Sequence, residues 1–383
     1  MFTLNDTYYV EFSANGKVLP FQPGLFQKAT ITQNVAQALP MLTITFRDPS
    51  NTLLRDYALT EGTKIEVRMG TKQDRDAPTA IPFRVVTTSP SHFHGTGTVC
   101  TIKAIFDAPK LYSIAKGVYT GSASAVIEQL ANEIGLRPVV DATRDEQNWI
   151  PFKQSYKTFL HHIAEHAYAD DNSIFSLAIR ETGELVFANL DRLLDKRPET
   201  LLYYGPQPPA SDRTPNRVQI VQQRARDRSG VANLLENYGA SLFTEFLKEA
   251  VEEIEQFSLR KFTSFISMNR TIKNLVGKVA SWPTLIDTGN ANKNFNKGEY
   301  QNTRGRATFQ TYVDVLSPFV THAELLQMVK VHIMRPQINE AEDMFSGNYI
   351  VTGKARIIQA TTYGEKLELV AQGRGLDPQG DLF

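Results

Sequence analysis

The sequence predicts an α+β protein that is mainly β: two related antiparallel β-barrels, an α+β module between them, and a helical insertion inside the second barrel. Three observations predict this class. Two distant segments read as copies of one another. The first is Phe83-Arg-Val-Val-Thr-Thr, followed after a turn by Thr98-Val-Cys-Thr-Ile-Lys-Ala-Ile105; the second is Tyr349-Ile-Val-Thr-Gly-Lys-Ala-Arg-Ile-Ile, followed by Lys366-Leu-Glu-Leu-Val-Ala371. Near Gly121 the hydrophobic period changes from two residues to three and four. At 383 residues the chain also exceeds the roughly 250 to 300 residues over which one core keeps growing, so several cores are expected.

Residues 1–110 carry the first barrel. Leu42, Ile44 and Phe46 alternate with Thr43 and Thr45, and Lys64-Ile-Glu-Val-Arg-Met69 alternates charge and hydrophobe, which gives each strand one buried and one wet face. Turn residues separate the strands at Ala14-Asn-Gly16, Asp48-Pro-Ser-Asn51, Glu61-Gly62 and the stretch Ser89 to Gly97. Closure into a barrel would remove exposed edges. Each copied hairpin is preceded by an earlier strand, taken as Leu42–Phe46 in one case and Val329–Ile333 in the other.

Residues 111–204 form the α+β module. Serine caps, apolar Val126, Ile127, Leu130 and Ile134, and a terminating Gly135 predict a helix. A second helix begins near Ser155 with Phe159, Leu160, Ile163, Ala164 and Ala167 as its buried stripe, and strands follow at Ile174 to Arg180 and Glu184 to Ala188. The proline-rich run Gly205-Pro-Gln-Pro-Pro-Ala-Ser211 is a connector. Residues 205–228 and 304–375 supply the second barrel, including strands at Arg217–Val221 and Ala307–Val315. Between them, residues 229–303 read as helical: Leu242, Phe243, Phe246, Leu247, Val251, Ile254 and Phe257 recur at three- and four-residue intervals, ahead of an asparagine-rich loop. Residues 376–383 are a C-terminal tail.

Composition narrows the function. With 41 basic and 41 acidic side chains the net charge is zero, which removes the electrostatic case for a nucleic-acid or membrane-surface binder; the Arg224-Ala-Arg-Asp-Arg228 run reads as a solvated face. A lone cysteine, Cys100, excludes an internal disulfide and a multi-cysteine zinc site, and its place in a strand makes it a small core hydrophobe. No leader pattern opens the chain and no window approaches about 20 apolar residues, so cytoplasmic synthesis without membrane insertion is expected.

One motif points to chemistry. His162-Ile-Ala-Glu-His166 matches H-x-x-E-H, in which two histidines a helical turn apart hold zinc and the glutamate acts as general base of a peptidase. The buried stripe of the same helix turns His162, Glu165 and His166 toward water or a lateral contact, and no third ligand is nominated. His92 and His94 near Cys100 lack an orienting third group, and Asp170-Asp171 reads as a helix stop. Tyr8-Tyr9 and Tyr203-Tyr204 could stack a sugar, which a carbohydrate-binding protein would need on an exposed platform. No phosphate-binding or dinucleotide fingerprint occurs, so no cofactor and no catalytic residue is assigned.

The order of barrel, α+β module, linker and interrupted second barrel resembles the baseplate hub proteins of contractile-tailed bacteriophages, and is similar to the hub half of type VI secretion spike proteins and to the late-control D protein family. The stretch that carries the resemblance is Gly121 to Asn189, with Gln154, Phe159, Leu160, Ile163, Glu165 and Ala167 in the positions where those families place a glutamine, an aromatic-leucine pair and a helix ending in acidic and small residues. Tyr156 and Lys157 stand where an acidic residue is usual. The resemblance implies two tube-like barrels per chain and a homotrimer whose six barrels adapt a sixfold tail tube to a threefold central spike. It also implies surrounding baseplate partners, DNA as passing cargo, assembly in the host cytoplasm and residence in the virion. By the same resemblance Leu382 and Phe383 are candidate spike contacts. The alternatives to the hub are a zinc-dependent peptidase using His162, Glu165 and His166, and a carbohydrate-binding accessory tail protein.

Overall fold

The computed structural model describes residues 2–4, 8–21, 24–49, 52–71, 79–93, 97–170, 173–205, 214–227, 239–246, 251–258, 282–287, 309–334, 345–359 and 362–372. The first unit holds β1 (Phe2–Leu4), β2 (Tyr8–Ala14), β3 (Lys17–Val18), β4 (Phe26–Asn34), β5 (Met41–Arg47), a short helix α1 (Thr52–Asp56), β6 (Lys64–Thr71), β7 (Thr79–Phe93) and β8 (Gly97–Phe106). They pair in the order β1-β2-β6-β7-β8-β5-β4. Alternation does what the sequence expects: Leu42, Ile44 and Phe46 are fully buried while their threonine neighbours are half-buried. Asn15 and Gly16, at φ 49° and 80°, make the two-residue turn from β2 into β3, a conformation asparagine and glycine reach at least cost. Phe12, Phe21, Phe26 and Phe46 pack with ring centroids 5.2 to 5.7 Å apart along successive contacts at the centre of this unit.

The module follows as β9 (Tyr119–Gly121), α2 (Ala123–Ile134), β10 (Arg137–Val140), β11 (Gln147–Trp149), α3 (Tyr156–His166), β12 (Phe175–Ile179), β13 (Glu184–Asn189) and α4 (Leu190–Leu194). The Ser122 hydroxyl accepts from the Ala125 N–H, and Gly135 ends α2 at φ 89°, so both caps read from sequence are present. Ser155 caps α3 in the same way, accepting from Thr158. The helices cover a three-stranded sheet ordered β10-β13-β12.

The second unit opens with β14 (Thr200–Tyr204), β15 (Asn216–Gln219) and β16 (Gln222–Asp227). A separate sheet of β17 (Gly239–Phe246), β18 (Val251–Ser258) and β19 (Trp282–Asp287) intervenes, and the unit resumes with β20 (Phe309–Ser317), β21 (Met328–Ile333), β22 (Gly347–Gln359) and β23 (Tyr363–Gln372). The helix expected across Leu242 to Phe257 is therefore corrected. These residues form an antiparallel pair, Gly239 opposite Ser258 through Phe246 opposite Val251, and β19 lies parallel to β17. Valine, isoleucine and phenylalanine at three-residue spacing fit either state locally, and backbone pairing across the strands decides the outcome. The rest of residues 229–303 lies outside the described residues, apart from β19.

The duplication is confirmed at the level of hydrogen-bonded register. In the first unit a row runs across four strands, Val85 opposite Ala104, Ala104 opposite Leu42, and Leu42 opposite Ile31. In the second, Val351 lies opposite Leu369, Leu369 opposite Val313, and Val313 opposite Ala225. Both rows end on a bulge in the long strand, between Val85 and Thr87 in β7 and between Val351 and Gly353 in β22. Thus β4-β5-β8-β7-β6 corresponds to β16-β20-β23-β22-β21. One pairing read from sequence changes: Leu42–Phe46 (β5) matches β20, and Val329–Ile333 lies in β21, the counterpart of β6. Neighbouring strands share the same alternation, so pattern alone could not separate them.

Closure into two barrels is also corrected. Among the described residues the sheet is one open path, β1-β2-β6-β7-β8-β5-β4-β22-β21-β14-β15, with β23, β20 and β16 branching from β22. The β4 edge that would have closed the first barrel pairs instead with β22, so the edge is satisfied by the other unit. Similarly, the Ser89–Gly97 turn is shorter than expected, because β7 continues to Phe93.

Strand β22 changes partner at its bulge. Gly347 to Ile350 pair with β21, and Gly353 to Gln359 pair with β4. A Cβ on Gly353 would lie 2.6 Å from Glu368 Oε2 and 3.1 Å from Glu368 Cβ, so a branched side chain there would press on the Glu368 side chain, its Cβ included. We expect Gly353→Val to lower stability by about 1–3 kcal/mol, while Thr87→Val at the matching exposed bulge of β7 stays within about 0.5 kcal/mol; urea denaturation of both variants checks the contrast.

Candidate functional site at the junction of the units

The side chains around the β22 crossover are charged where burial makes charge costly. Lys354 and Arg356 project from β22, Glu365 from β23, Gln33 from β4, Thr321 and Glu324 from the segment between β20 and β21, and Glu181 from the β12–β13 turn of the module. Lys354 Nζ donates to the Ala323 carbonyl and to Glu324 Oε1, each at 2.9 Å. Arg356 lies 2.5 Å from Glu181 Oε1 and 3.6 Å from Glu365 Oε1. Glu365 Oε2 accepts from the Thr321 N–H at 2.9 Å and its hydroxyl at 2.5 Å, and Glu365 Oε1 accepts from Tyr363.

These partners set the ionisation. Burial pushes the Glu365 carboxyl up, but Lys354, Arg356 and the hydrogen bonds from Thr321 and Tyr363 outweigh it and hold its pKa at about 2. Burial lowers the Lys354 ammonium and Arg356 adds to that, yet Glu365, Glu324 and Glu181 reverse the sum and raise it. Glu181 goes the other way. Burial raises its carboxyl more than Arg356 and Lys354 lower it, and its ion pair with Arg356 lacks an aligned hydrogen bond at either carboxylate oxygen.

The junction ties three bodies together. The Glu181 N–H donates to Gln33 Oε1 at 3.1 Å, and Arg180 donates to the Leu325 carbonyl from Nε at 3.0 Å and Nη2 at 2.5 Å. One hairpin turn of the module therefore grips the first unit through Gln33 and the second through Leu325 and Arg356. This arrangement sets the cations against the anions, and what it supplies is fixed geometry.

Two other features face outward. The segments around β9 and β11 form an antiparallel ribbon, Tyr119 opposite Trp149 and Ile114 bridged to Ser155, on which Tyr112, Ile114, Val118, Ile150 and Phe152 are exposed, Phe152 by 79%. Clustered exposed hydrophobes of this kind mark contact surfaces. The second feature is a pair of strand edges without a partner among the described residues, the outer side of β16 and the outer side of β7 beyond its bulge.

The sequence-nominated chemistry disperses. His162 and His166 bring their rings to 4.7 Å and His162 lies edge-on to Trp149, but Glu165 is exposed, and no group of three or more metal-ligating side chains occurs among the described residues. Burial lowers the pKa of His162. Cys100 is buried, and burial with Asp48 nearby pushes its thiol up to about 11, which fits the expected core role. Tyr203 and Tyr204 are half-buried in β14. His94, Asp171, Leu382 and Phe383 lie outside the described residues. Sequence reading missed the ionic junction, whose one available signal was the placing of Lys354, Arg356 and Glu365 inside strands otherwise built for a core.

No family model and no curated protein sequence matches this chain. Its fold is similar to the crystal structure of a 43 kDa tail protein of prophage MuSo2 from Shewanella oneidensis, with a TM-score of 0.61 and 11% identity over 95% of this chain and 98% of that one. It is also similar to a tail protein from Neisseria meningitidis MC58, with a TM-score of 0.58 and 10% identity over 95% and 96% of the two chains. The likeness therefore spans both units and the module.

A pH experiment tests the junction. Glu365 contributes stability above its unfolded pKa near 4.5 and loses it as pH falls from there through about 2. We expect Glu365→Gln to cost about 3–5 kcal/mol at pH 7, and the difference from the parent chain to shrink steadily below pH 4.5, measured by denaturant unfolding across pH.

Proposed function

We propose that this chain is a structural baseplate hub of a contractile phage tail. Three copies form a ring that joins a sixfold tail tube to a threefold central spike and encloses the channel through which DNA passes. The observation that carries this reading is the duplication: two units with the same strand order, the same row of opposed residues and the same bulge, fixed to one another by a shared strand and a buried ionic junction. A chain that presents the same surface twice lets a threefold assembly imitate a sixfold one. Likeness in fold to two tail proteins over 95% of the chain supports the same reading.

In this reading the protein catalyses nothing and takes no cofactor or metal. Its partners are two further copies of itself, the tail tube or a tube initiator, the central spike and the surrounding baseplate proteins. DNA moves through without sequence readout, in keeping with a net charge of zero. Assembly takes place in the host cytoplasm and the product resides in the virion tail. The exposed ribbon around Phe152 is the surface we assign to neighbouring baseplate proteins, and Leu382 and Phe383 are the residues we assign to the spike.

Light scattering after size exclusion should give about three times the 43.0 kDa chain mass at micromolar concentration, because obligate interfaces bury upwards of about 2,000 Å². A monomer under those conditions contradicts the hub. Removing residues 376–383 should leave the trimer intact and abolish co-purification of the spike; a truncated chain that still retains the spike would remove Leu382 and Phe383 from the interface.

A further inference from the structure

The join between the two units is made once inside the chain, and the duplication leaves the same two edges available a second time. Within the chain, β4 pairs antiparallel to the part of β22 beyond its bulge, with Ile31 opposite Arg356. The counterpart of β4 is β16, and the counterpart of that part of β22 is the part of β7 beyond its own bulge. Both counterparts present open edges among the described residues. Their exposure agrees: Thr87, Ser89, Pro90 and Ser91 are exposed, whereas of their counterparts on the stretch that β4 covers Gly353 is buried and Ala355, Arg356 and Ile357 are half-buried.

We propose that β16 of one copy adds to the β7 edge of the next copy, repeating between chains the β4–β22 pairing seen within one. This rests on the oligomeric reading above and deepens it by naming the interface and its register. Residue matching fixes the register. The rows that end at Val85 and Val351 make Ala225 the counterpart of Ile31, and counting from the bulges makes Pro90 the counterpart of Arg356. Ala225 therefore faces Pro90, Arg224 faces Ser91, and Asp227 faces Thr88.

Backbone directions suit the pairing. The Gln359 N–H donates to the carbonyl of Thr362, just before β23, and alternation then turns the amides of Lys354, Arg356 and Ile358 toward β4. By the same alternation the amides of Thr88 and His92 and the nitrogen of Pro90 face outward from β7. Pro90 removes one donor from the intermolecular ladder and leaves its carbonyl as acceptor. Proline on an open edge also discourages indiscriminate strand addition, which suits an edge reserved for one partner. A donor edge meeting a different acceptor edge is a heterologous contact, so it closes into a ring when the rotation allows, and with two units per chain three copies give six joins of one kind.

Cross-linking reads the register directly. Ser91 and Arg224 are exposed and fall at a non-hydrogen-bonded position, where opposed Cα atoms lie about 4.5 Å apart, inside the range a disulfide spans; buried Cys100 does not compete. The double variant Ser91→Cys/Arg224→Cys, oxidised as the assembled full chain, should run as covalent dimers and trimers on a non-reducing gel and collapse to monomer on reduction. Each single variant, and the off-register pair Ser91→Cys/Gln222→Cys, should lose the cross-link. Ala225→Pro removes only the outward-facing donor of β16 and should convert trimer to folded monomer by light scattering and circular dichroism. A trimer that forms but yields no Ser91–Arg224 cross-link overturns this interface and leaves the trimeric hub standing; a monomeric parent chain overturns both.

Discussion

Backbone hydrogen bonding along one strand holds the molecule to its shape. β22 satisfies β21 with its first residues and β4 with its last, while β23 runs along its other side. A ladder of peptide hydrogen bonds is directional and fixed in register, so the two units cannot slip or rotate about one another without exposing a row of buried donors and acceptors. The partner change falls at the bulge, where a side chain at Gly353 would press on the Glu368 side chain.

Charge then fixes the third body. The module meets the two units through Arg180 and Glu181, and Glu181 is buried among Arg356, Lys354, Glu324 and Glu365. Removing charges from water is expensive, and replacing such a cluster with hydrophobes often stabilises a protein. Its advantage is specificity: an apolar contact tolerates many rotations, whereas these pairs and hydrogen bonds are satisfied in one. Two units that must keep one orientation gain more from a single rigid arrangement than from additional stability.

Much of the architecture was legible in the sequence because it depends on local rules. Ser122 and Gly135 bounded α2, Leu42, Ile44 and Phe46 declared a half-buried strand, and Phe83 and Tyr349 marked the two long strands of the duplication. Four things were not legible, for physical reasons. Pattern could not tell which neighbouring strand matched which, since β5 and β6 share one alternation. It could not show that β4 would leave its own unit for β22, because that choice is made by backbone edges with no side-chain signature. Spacing at Val251, Ile254 and Phe257 suited a helix, and strand pairing overrode it. The ionic junction was hidden for a related reason, its members lying up to 332 residues apart from Gln33 to Glu365 and meeting only through the fold.

The most direct test of the central claim is native-state hydrogen exchange on the assembled protein, followed at the amides of Lys354, Arg356 and Ile358, which point from β22 to β4. They should exchange only with global unfolding, in step with the core amides of β8 and β23. Rapid exchange at these three positions while β8 and β23 remain protected would show that the units open independently, and would contradict the claim that a shared strand makes them one body.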